Sequence, residues 1–306
     1  MIKQKFKKYL SFALNRVFRE EIEKDMVLKA KNLAFKNNKL KKIKNFSEIE
    51  FQVFSQWGED GIIDWIISKV NNLPKKFLEI GTENYKESNT RYLLISRNWD
   101  GFIIESDKKA VSEIKSQKIY WKHNLKIKNQ FISKENINRT IKSLKVPKKI
   151  GFLSLDIDGI DYWILKELKD LDPIILTCEY NSLFGSKKSI TVPYKKKFYR
   201  NKEHYSNLYF GASISAFINL LKKRNYIFLG TNSSGNNAFF IKKNFSAKLE
   251  NAIKEKKIFL GKFRESRNRN GGLNYLNKEK SLKLIKNKTV VDLDTNKLVK
   301  ISDLKL

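Results

Sequence analysis

Short apolar runs alternate with stretches of helical periodicity between residues 46 and about 245. The runs KFLEI, GFIIES, KIYWKH, IGFLSLDID and PIILTCEY each predict a buried strand, and helical patterns separate them. Two more runs, YIFLG and AFFIKK, flank TNSSGNN, whose Gly and Asn residues suit a hairpin loop. Strands that alternate with helices favour an α/β fold. We therefore predict a doubly wound, mostly parallel, seven-stranded sheet with an antiparallel edge strand.

The regions outside this core predict two extensions. Residues 1–45 are basic, and Phe6, Leu10 and Leu14 recur at helical spacing. This helix could pack on its own domain, on a second subunit, or on an anionic membrane surface. Residues 246–306 predict a small C-terminal extension with a helix and a hairpin around VVDLDTNKLVKI. From the N- to the C-terminus, the predicted order is thus a helical extension over 1–45, an α/β domain over 46–245 and a C-terminal extension over 246–306.

The net charge of +31 raises the question of an anionic partner. Only 10 of the 63 basic residues are Arg, the residue that reads bases and clamps phosphates, and Lys is spread over the whole chain. The lysine-rich background of an AT-rich genome explains this pattern better than a nucleic-acid site does. Binding to RNA is the less favoured explanation of the charge. We expect neither a membrane span nor a signal peptide, and the single Cys178 suits a reducing cytoplasm.

Acidic residues stand at the ends of four predicted strands: Glu79, Glu105, the pair Asp156 and Asp158, and Glu179. Ligands of open parallel sheets bind beyond the carboxyl ends of the strands, so these acids should share one edge. An acidic edge in a strongly basic chain suits a cationic or hydroxyl-rich ligand, or a metal ion. It does not suit a phosphate.

The segment FLEIGTEN places Gly81 directly after the first strand, where the missing side chain lets a ligand approach the backbone. The three-glycine dinucleotide fingerprint is absent. Glu105 follows Gly81 by 24 residues, near the distance at which an acid at the second strand's end binds ribose hydroxyls. Together the two residues favour a nucleoside ligand.

Several motifs resemble those of one enzyme family. FLEIG, the acid after the second strand and the terminal hairpin resemble class I S-adenosylmethionine-dependent methyltransferases. SQWGEDGII, SLDIDGIDYWI, CEYNSLFG, YFGASISAF and GTNSSGNNAFF are similar to the FkbM type of this class, and KFRESRNRNGGLNYL resembles the tail of its longer members. The resemblance implies methylation of a hydroxyl on a sugar, polysaccharide, glycolipid or related polar metabolite. It leaves the oligomeric state undetermined.

The resemblance also implies roles for individual residues in binding S-adenosylmethionine. Glu79 and Gly81 would lie at the methionine part and Glu105 at the ribose. Gln56 and Glu59 would lie near the cofactor's amino-acid end, and His123 would lie near its adenine.

The DIDGID segment allows three interpretations, which are not mutually exclusive. Asp158 could be the N-cap of the following helix with Asp161 three residues on, which leaves Asp156 unexplained. By resemblance to metal-dependent O-methyltransferases, Asp156 and Asp158 could instead bind Mg²⁺ or another divalent cation together with Glu179 and Asn181. Without a metal, Asp158 could be the general base and Asp156 could contact the cofactor amine.

His204, in the long connection 181–205, is a second candidate base. Two alternatives remain: methylation of RNA, motivated by the net charge of +31, and a binding or scaffold protein that keeps the fold without catalysis.

Overall fold

The computed structural model describes residues 2–261 and 266–306, with side chains from residue 21 onward. The predicted apolar positions Phe6, Leu10 and Leu14, and the KFRE part of the tail motif, lie outside the described side chains or residues. The strands are β1 (Lys76–Ile80), β2 (Asp100–Glu105), β3 (Leu125–Asn129), β4 (Lys149–Leu155), β5 (Asp172–Glu179), β6 (Ile190–Thr191), β7 (Tyr226–Thr231), β8 (Asn237–Lys242), β9 (Thr289–Asp292) and β10 (Lys297–Lys300).

The helices over the same residues are α1 (Ile2–Lys39), α2 (Glu59–Lys69), α3 (Arg91–Arg97), α4 (Lys108–Ser116), α5 (Lys118–Lys122), α6 (Ile137–Leu144), α7 (Asp161–Glu167), α8 (Arg200–Glu203), α9 (Ile214–Lys222), α10 (Ala247–Ala252) and α11 (Lys278–Ile285). None of these helices is long and apolar enough to cross a bilayer.

Seven strands form the main sheet in the order β3-β2-β1-β4-β5-β8-β7. β1 to β5 pair in parallel, while β8 runs antiparallel to both β5 and β7, with which it forms the predicted hairpin. The predicted α/β fold class is confirmed. The strand order reverses between β1 and β4, and this switch point is where such sheets bind ligands.

The prediction of a strand at KIYWKH was wrong. Lys118–Lys122 is a short helix in which Ile119 is buried while Trp121 is 72% exposed. The third strand is LKIKN, which begins two residues after His123. In a run of six residues an alternating pattern and a single helical turn bury the same apolar positions, so the periodicity did not separate them.

Helices cover both faces of the sheet because successive strand residues point to opposite sides. Phe77 and Phe152 contribute to a core with α2 and α3, whose Trp65 and Leu93 are fully buried. Their neighbours Leu78 and Leu153 contribute to a second core on the opposite face, with α6, α7 and α9.

The C-terminal half of α1 packs on its own domain. Ala30 and Ala34 are buried in a cluster with Phe51, Phe54 and Tyr92. At the helix end, the Lys69 ammonium donates to two carbonyl oxygens in and just after α1, each at 2.9 Å. The first of the three predicted locations for this helix therefore applies to residues 27–39.

The C-terminal extension is joined to the long connection 181–205. The predicted hairpin is β9–β10, and β9 pairs antiparallel with β6, which lies inside that connection. A second small sheet, β10-β9-β6, results. The extension thereby fixes the position of a segment that follows β5 at the ligand-binding edge.

Candidate functional site

A cavity of about 390 Å³ lies across the carboxyl ends of β1, β2, β4 and β5. We call it the cleft. Its described lining contains seven acidic side chains and one cationic side chain, Arg200. The acids are Glu79, Glu83, Glu87, Glu105, Asp156, Asp158 and Glu179. The four predicted strand ends therefore do meet at one edge, and the lining is acidic in a chain with a net charge of +31.

Gly81 lets the turn after β1 lie directly against the end of β4. Its φ is +82°, and a Cβ at this position would lie 1.7 Å from the carbonyl oxygen of Asp156. The Asp156 amide, in turn, donates to the carbonyl oxygen of Ile80 at 3.0 Å. Only glycine fits this contact, which places the backbone of residues 81–83 on the cleft wall.

The Glu79 carboxylate closes the floor of the cleft and organises the loop that follows. It accepts hydrogen bonds from the Ser88 hydroxyl at 2.6 Å, the Asn89 amide at 3.0 Å and the Thr90 hydroxyl. Glu79 is 3% exposed, and burial raises its pKa to about 6, although these hydrogen bonds act in the opposite direction. The residue lines the cleft, and in this structure it also orders one of its walls.

Glu105 also lines the cleft, but its carboxylate is already occupied by the chain. One oxygen accepts from the Thr82 and Glu83 amides, both at 2.9 Å. The other accepts from the Asp107 amide at 2.8 Å and the Ser106 hydroxyl at 3.2 Å. A carboxylate has about four acceptor sites, and all four are used. Glu105 thus holds the Gly81 turn against β2, and a ribose hydroxyl would have to replace the long Ser106 contact.

The SQWGEDG motif forms a loop held by hydrogen bonds to its own Asp60, and this loop brings Gln56 to the cleft. The buried Asp60 carboxylate accepts from the Val53, Phe54 and Ser55 amides at 2.7–2.9 Å. Burial raises the pKa of Asp60 to about 6. The family resemblance implied only that this segment lies near the cofactor, whereas the structure shows that the Asp60 carboxylate closes the loop.

Glu59 does not line the cleft. It is fully buried and accepts from the side-chain amides of Asn232 and Asn237, at 2.6 and 2.8 Å. Asn237 does line the cleft, and its buried side-chain oxygen has no hydrogen-bond partner among the described residues. Glu59 therefore connects the SQWGEDG loop with the GTNSSGNN loop and orients an amide of the cleft.

Asp156, Asp158 and Glu179 form the most acidic part of the cleft. Each offers an oxygen, and these atoms lie within 4.8 Å of one another. Burial, together with the neighbouring carboxylates, raises the pKa of both Asp156 and Glu179 well above the usual range. One oxygen of Glu179, Oε2, is buried without a hydrogen-bond partner in the described chain.

Arg200 partly neutralises these carboxylates, and the sequence analysis did not predict this residue as part of the site. Its guanidinium donates to Asp158 Oδ1 at 2.6 Å and lies 3.7 Å above the Phe210 ring centroid. The positive charge lowers the pKa of Asp156 and Glu179 against the effect of burial. A signal existed, since Arg200 is the sole arginine between 181 and 205 in a chain that has 53 lysines.

The N-cap interpretation of Asp158 was wrong. Asp158 has a φ of +56° and its side chain is 61% exposed, while α7 begins at Asp161 with Ile160 as N-cap. The Asp161 carboxylate instead accepts from the Ile157 and Gly159 amides at 2.8 and 2.9 Å. Asp161 therefore closes the turn in which Asp158 lines the cleft and pairs with Arg200.

Two histidines that were predicted as site residues, like Glu59, do not line the cleft. His123 lies before β3, at the amino edge of the sheet, because the third strand begins after it; Gln130 and Phe131 follow β3 and line the cleft instead. His204 lies outside the cleft lining, with its Nδ1 2.6 Å from the Ser206 hydroxyl.

Asn181 follows Glu179 but faces away from the three carboxylates. Its amide nitrogen donates to the Leu208 and Phe210 carbonyls, and its oxygen accepts from the Leu183 amide, all at 3.0 Å. The side chain is fully used in holding two loops together. It is not available as the fourth metal ligand in this arrangement.

No protein-family model matches the sequence, and no curated protein matches it. Among solved structures, the chain is similar to the N-terminal domain of EvdMO1 with SAH bound, at 10% identity and a TM-score of 0.40 over 73% of this chain and 94% of that one. It is also similar to an S-adenosylmethionine-dependent methyltransferase from Clostridium acetobutylicum ATCC 824, at 11% identity and a TM-score of 0.37 over 60% and 90%.

A third similar structure is the pyocyanin biosynthetic protein PhzM, at 6% identity and a TM-score of 0.36 over 56% of this chain. The match spans about half of PhzM, 52% of its chain. With TM-scores no higher than 0.40, these three likenesses carry no functional argument for this chain. The fold class rests on its own strand order.

Proposed function

We propose that this protein is an S-adenosylmethionine-dependent methyltransferase that methylates a hydroxyl group. The observation that carries the proposal is the acidic cleft at the β1/β4 switch point, with seven carboxylates and one guanidinium. S-adenosylmethionine carries a sulfonium and an ammonium, so an acidic cleft of this size suits it, whereas a phosphate-bearing nucleotide would be repelled. The same acidity argues against RNA as the methyl acceptor, because RNA would bring a phosphate at every nucleotide to this edge of the sheet.

The FkbM type is the finer form of this proposal. Its support is that the resembling motifs SQWGEDG, DIDGID and GTNSSGNN meet at one cleft although they lie far apart in sequence. Gln56 and Asn237 both line that cleft, and Glu59 joins their two loops by accepting a hydrogen bond from the Asn237 amide. On this basis the acceptor is a sugar, glycolipid or related polar metabolite.

The chain's contribution to transfer is positioning and proton acceptance. When bound, S-adenosylmethionine supplies the methyl group: the acceptor oxygen forms the new C–O bond, the methyl–sulfur bond breaks, and sulfur keeps the electron pair. The acceptor proton passes to the cluster of Asp156, Asp158 and Glu179. Holding nucleophile and methyl carbon in line can lower the barrier by up to about 7–11 kcal/mol.

A divalent cation is a second way in which this cluster could act. Oxygens that share one Ca²⁺ lie at most about 5 Å apart, so the three carboxylates fit such an ion, and Mg²⁺ needs them slightly closer. The unpartnered Oε2 of Glu179 is consistent with a missing ligand. When bound, the ion would lower the pKa of the acceptor hydroxyl. Asn181 does not fit this set.

The metal is tested by calorimetric titration of the chelator-treated protein with Ca²⁺ and Mg²⁺. Binding that disappears in Glu179→Gln would support the ion. No binding of either cation would remove the metal and leave proton acceptance by the carboxylates alone.

Titration with S-adenosylmethionine tests the proposed function itself. We expect Glu105→Ala to weaken binding about 10- to 100-fold, because the Gly81 turn loses the acceptor of its Thr82 and Glu83 amides, and the segment after β2 loses that of Ser106 and Asp107. Glu255→Ala, at an exposed acid outside the cleft, is the matched control. Absence of S-adenosylmethionine binding by the wild type would refute the proposal. Binding without methyl transfer to any hydroxylated acceptor would favour the binding-protein alternative.

A further inference from the structure

A second cavity of about 460 Å³ adjoins the cleft, and Glu179 and Arg200 line both. We call it the outer cavity. Its walls come from the segment after β5, from the loop before α9, and from residues 275–281 of the C-terminal extension. The extension is therefore part of a cavity that opens onto the most acidic part of the cleft.

The boundary between the two cavities contains an unsatisfied acceptor. Glu179 is 5% exposed, and its Oε2 has no hydrogen-bond partner in the described chain. Buried carboxylate oxygens are rarely left without a donor, because the lost hydration is costly. A donor that enters from the outer cavity, such as a ligand hydroxyl, would satisfy it.

The remaining lining of the outer cavity is apolar on one side and polar at its rim. Leu183, Leu208 and Phe210 supply the apolar side. Tyr275 offers an aromatic ring that is 61% exposed, and such rings commonly form the flat contact surface of ligand sites. The Lys278 ammonium also lines the cavity, and it makes no hydrogen bond or ion pair with the part of the chain that the structure describes.

We propose that the outer cavity binds the methyl acceptor, and that this acceptor is a hydroxylated ring with an anionic substituent. Its hydroxyl donates to Glu179, its ring lies against Tyr275, and its anionic group pairs with Lys278. The inference rests on the proposed methyl transfer and deepens it. The C-terminal extension is then a part of the substrate site, in addition to packing on the core.

Three probes that differ at one position test the substrate class: p-nitrophenyl glucoside, the corresponding glucuronide and the glucoside 6-phosphate. Each is titrated calorimetrically into protein saturated with S-adenosylhomocysteine. We expect at least one anionic probe to bind about 5-fold or more tightly than the neutral glucoside. Whether the carboxylate or the phosphate is preferred identifies the anionic group, and either result supports the proposal.

Charge reversal at Lys278 tests the site. Lys278→Glu should abolish the preference for the anionic probe, whereas Lys280→Glu, on the same helix but outside the cavity lining, should retain it. Tyr275→Ala should weaken all bound probes, and Leu273→Ala, also exposed but not in the lining, should not. All four variants should bind S-adenosylhomocysteine like the wild type.

Two failures are distinguishable. Wild-type protein that does not bind S-adenosylhomocysteine would refute the proposed function, and the acceptor site with it. Protein that binds S-adenosylhomocysteine but binds no probe, or whose anionic preference survives Lys278→Glu, would overturn the acceptor site alone.

Discussion

Replacing Gly81 by Ala tests whether the close contact between the β1 turn and β4 builds the cleft. The added Cβ would lie 1.7 Å from the Asp156 carbonyl oxygen and 2.8 Å from its carbonyl carbon. Both are backbone atoms, so no side chain can rotate away to make room. The end of β4 must move by more than 1 Å, and it carries Asp156, one of the three clustered carboxylates.

Gly211→Ala is the matched control, because it shares the backbone conformation without the clash. Gly211 has a φ of +64°, and a Cβ there would meet its nearest atoms at 3.9 Å, an ordinary contact. The left-handed conformation costs alanine about 1–2 kcal/mol, partly offset by about 0.4–1 kcal/mol from the restricted unfolded chain. We expect Gly211→Ala to lose about 1 kcal/mol of unfolding free energy.

Gly81→Ala should lose the same unfolding free energy as Gly211→Ala and, in addition, the cost of overpacking against backbone, which is about 1–3 kcal/mol or more. Cofactor affinity should fall about 10- to 100-fold in this variant alone, since a shift of about 1 Å misplaces the cleft wall. Urea unfolding measures the first quantity and titration with S-adenosylmethionine the second. If both variants had equal stability and wild-type cofactor affinity, the contact at Gly81 would not be what shapes the cleft.

Three further predictions concern the surrounding structure. Burial raises the pKa of Glu79 to about 6 from an ordinary value of 4.5, so the folded state holds the extra proton and stability falls as pH rises from about 4.5 to 6. Glu79→Gln should remove about 2 kcal/mol of this decline, measured by urea unfolding across that range; an unchanged slope would contradict the shift. Asp60→Ala should cost more than about 3 kcal/mol, because three amides lose their acceptor, and a loss below 1 kcal/mol would show that the loop has other support. If the basic start of α1 binds anionic membranes, the full-length protein should sediment with anionic vesicles, and deleting residues 1–20, which spares the packed half of α1, should abolish this. A truncated protein that still sediments would exclude membrane binding through these residues.

The sequence determined most of the sheet and the acidic character of its ligand-binding edge. KFLEI, GFIIES and PIILTCEY are strands because apolar runs of this length between helical patterns fit a sheet buried on both faces. Parallel strands bring their carboxyl ends to one edge, so an acid at each end was enough to predict that these acids meet.

Where the pattern was short, local information was insufficient. KIYWKH carries apolar residues that a strand or one helical turn would bury equally well, and packing of Ile119 decided for the helix. The shift moved His123 to the amino edge of the sheet. It also brought Gln130 and Phe131, which the sequence reading had not selected, to the cleft.

Tertiary structure alone decided what neutralises the aspartates. Arg200 is 42 residues from Asp158 in sequence, and it reaches the cleft because the connection 181–205 folds back over the end of the sheet. That path is set by pairing of β6 with β9, more than 90 residues further along the chain. Long-range pairing of this kind depends on the packing of the whole chain, so neither the partner of Asp158 nor the outer cavity beside Glu179 could be read from local sequence.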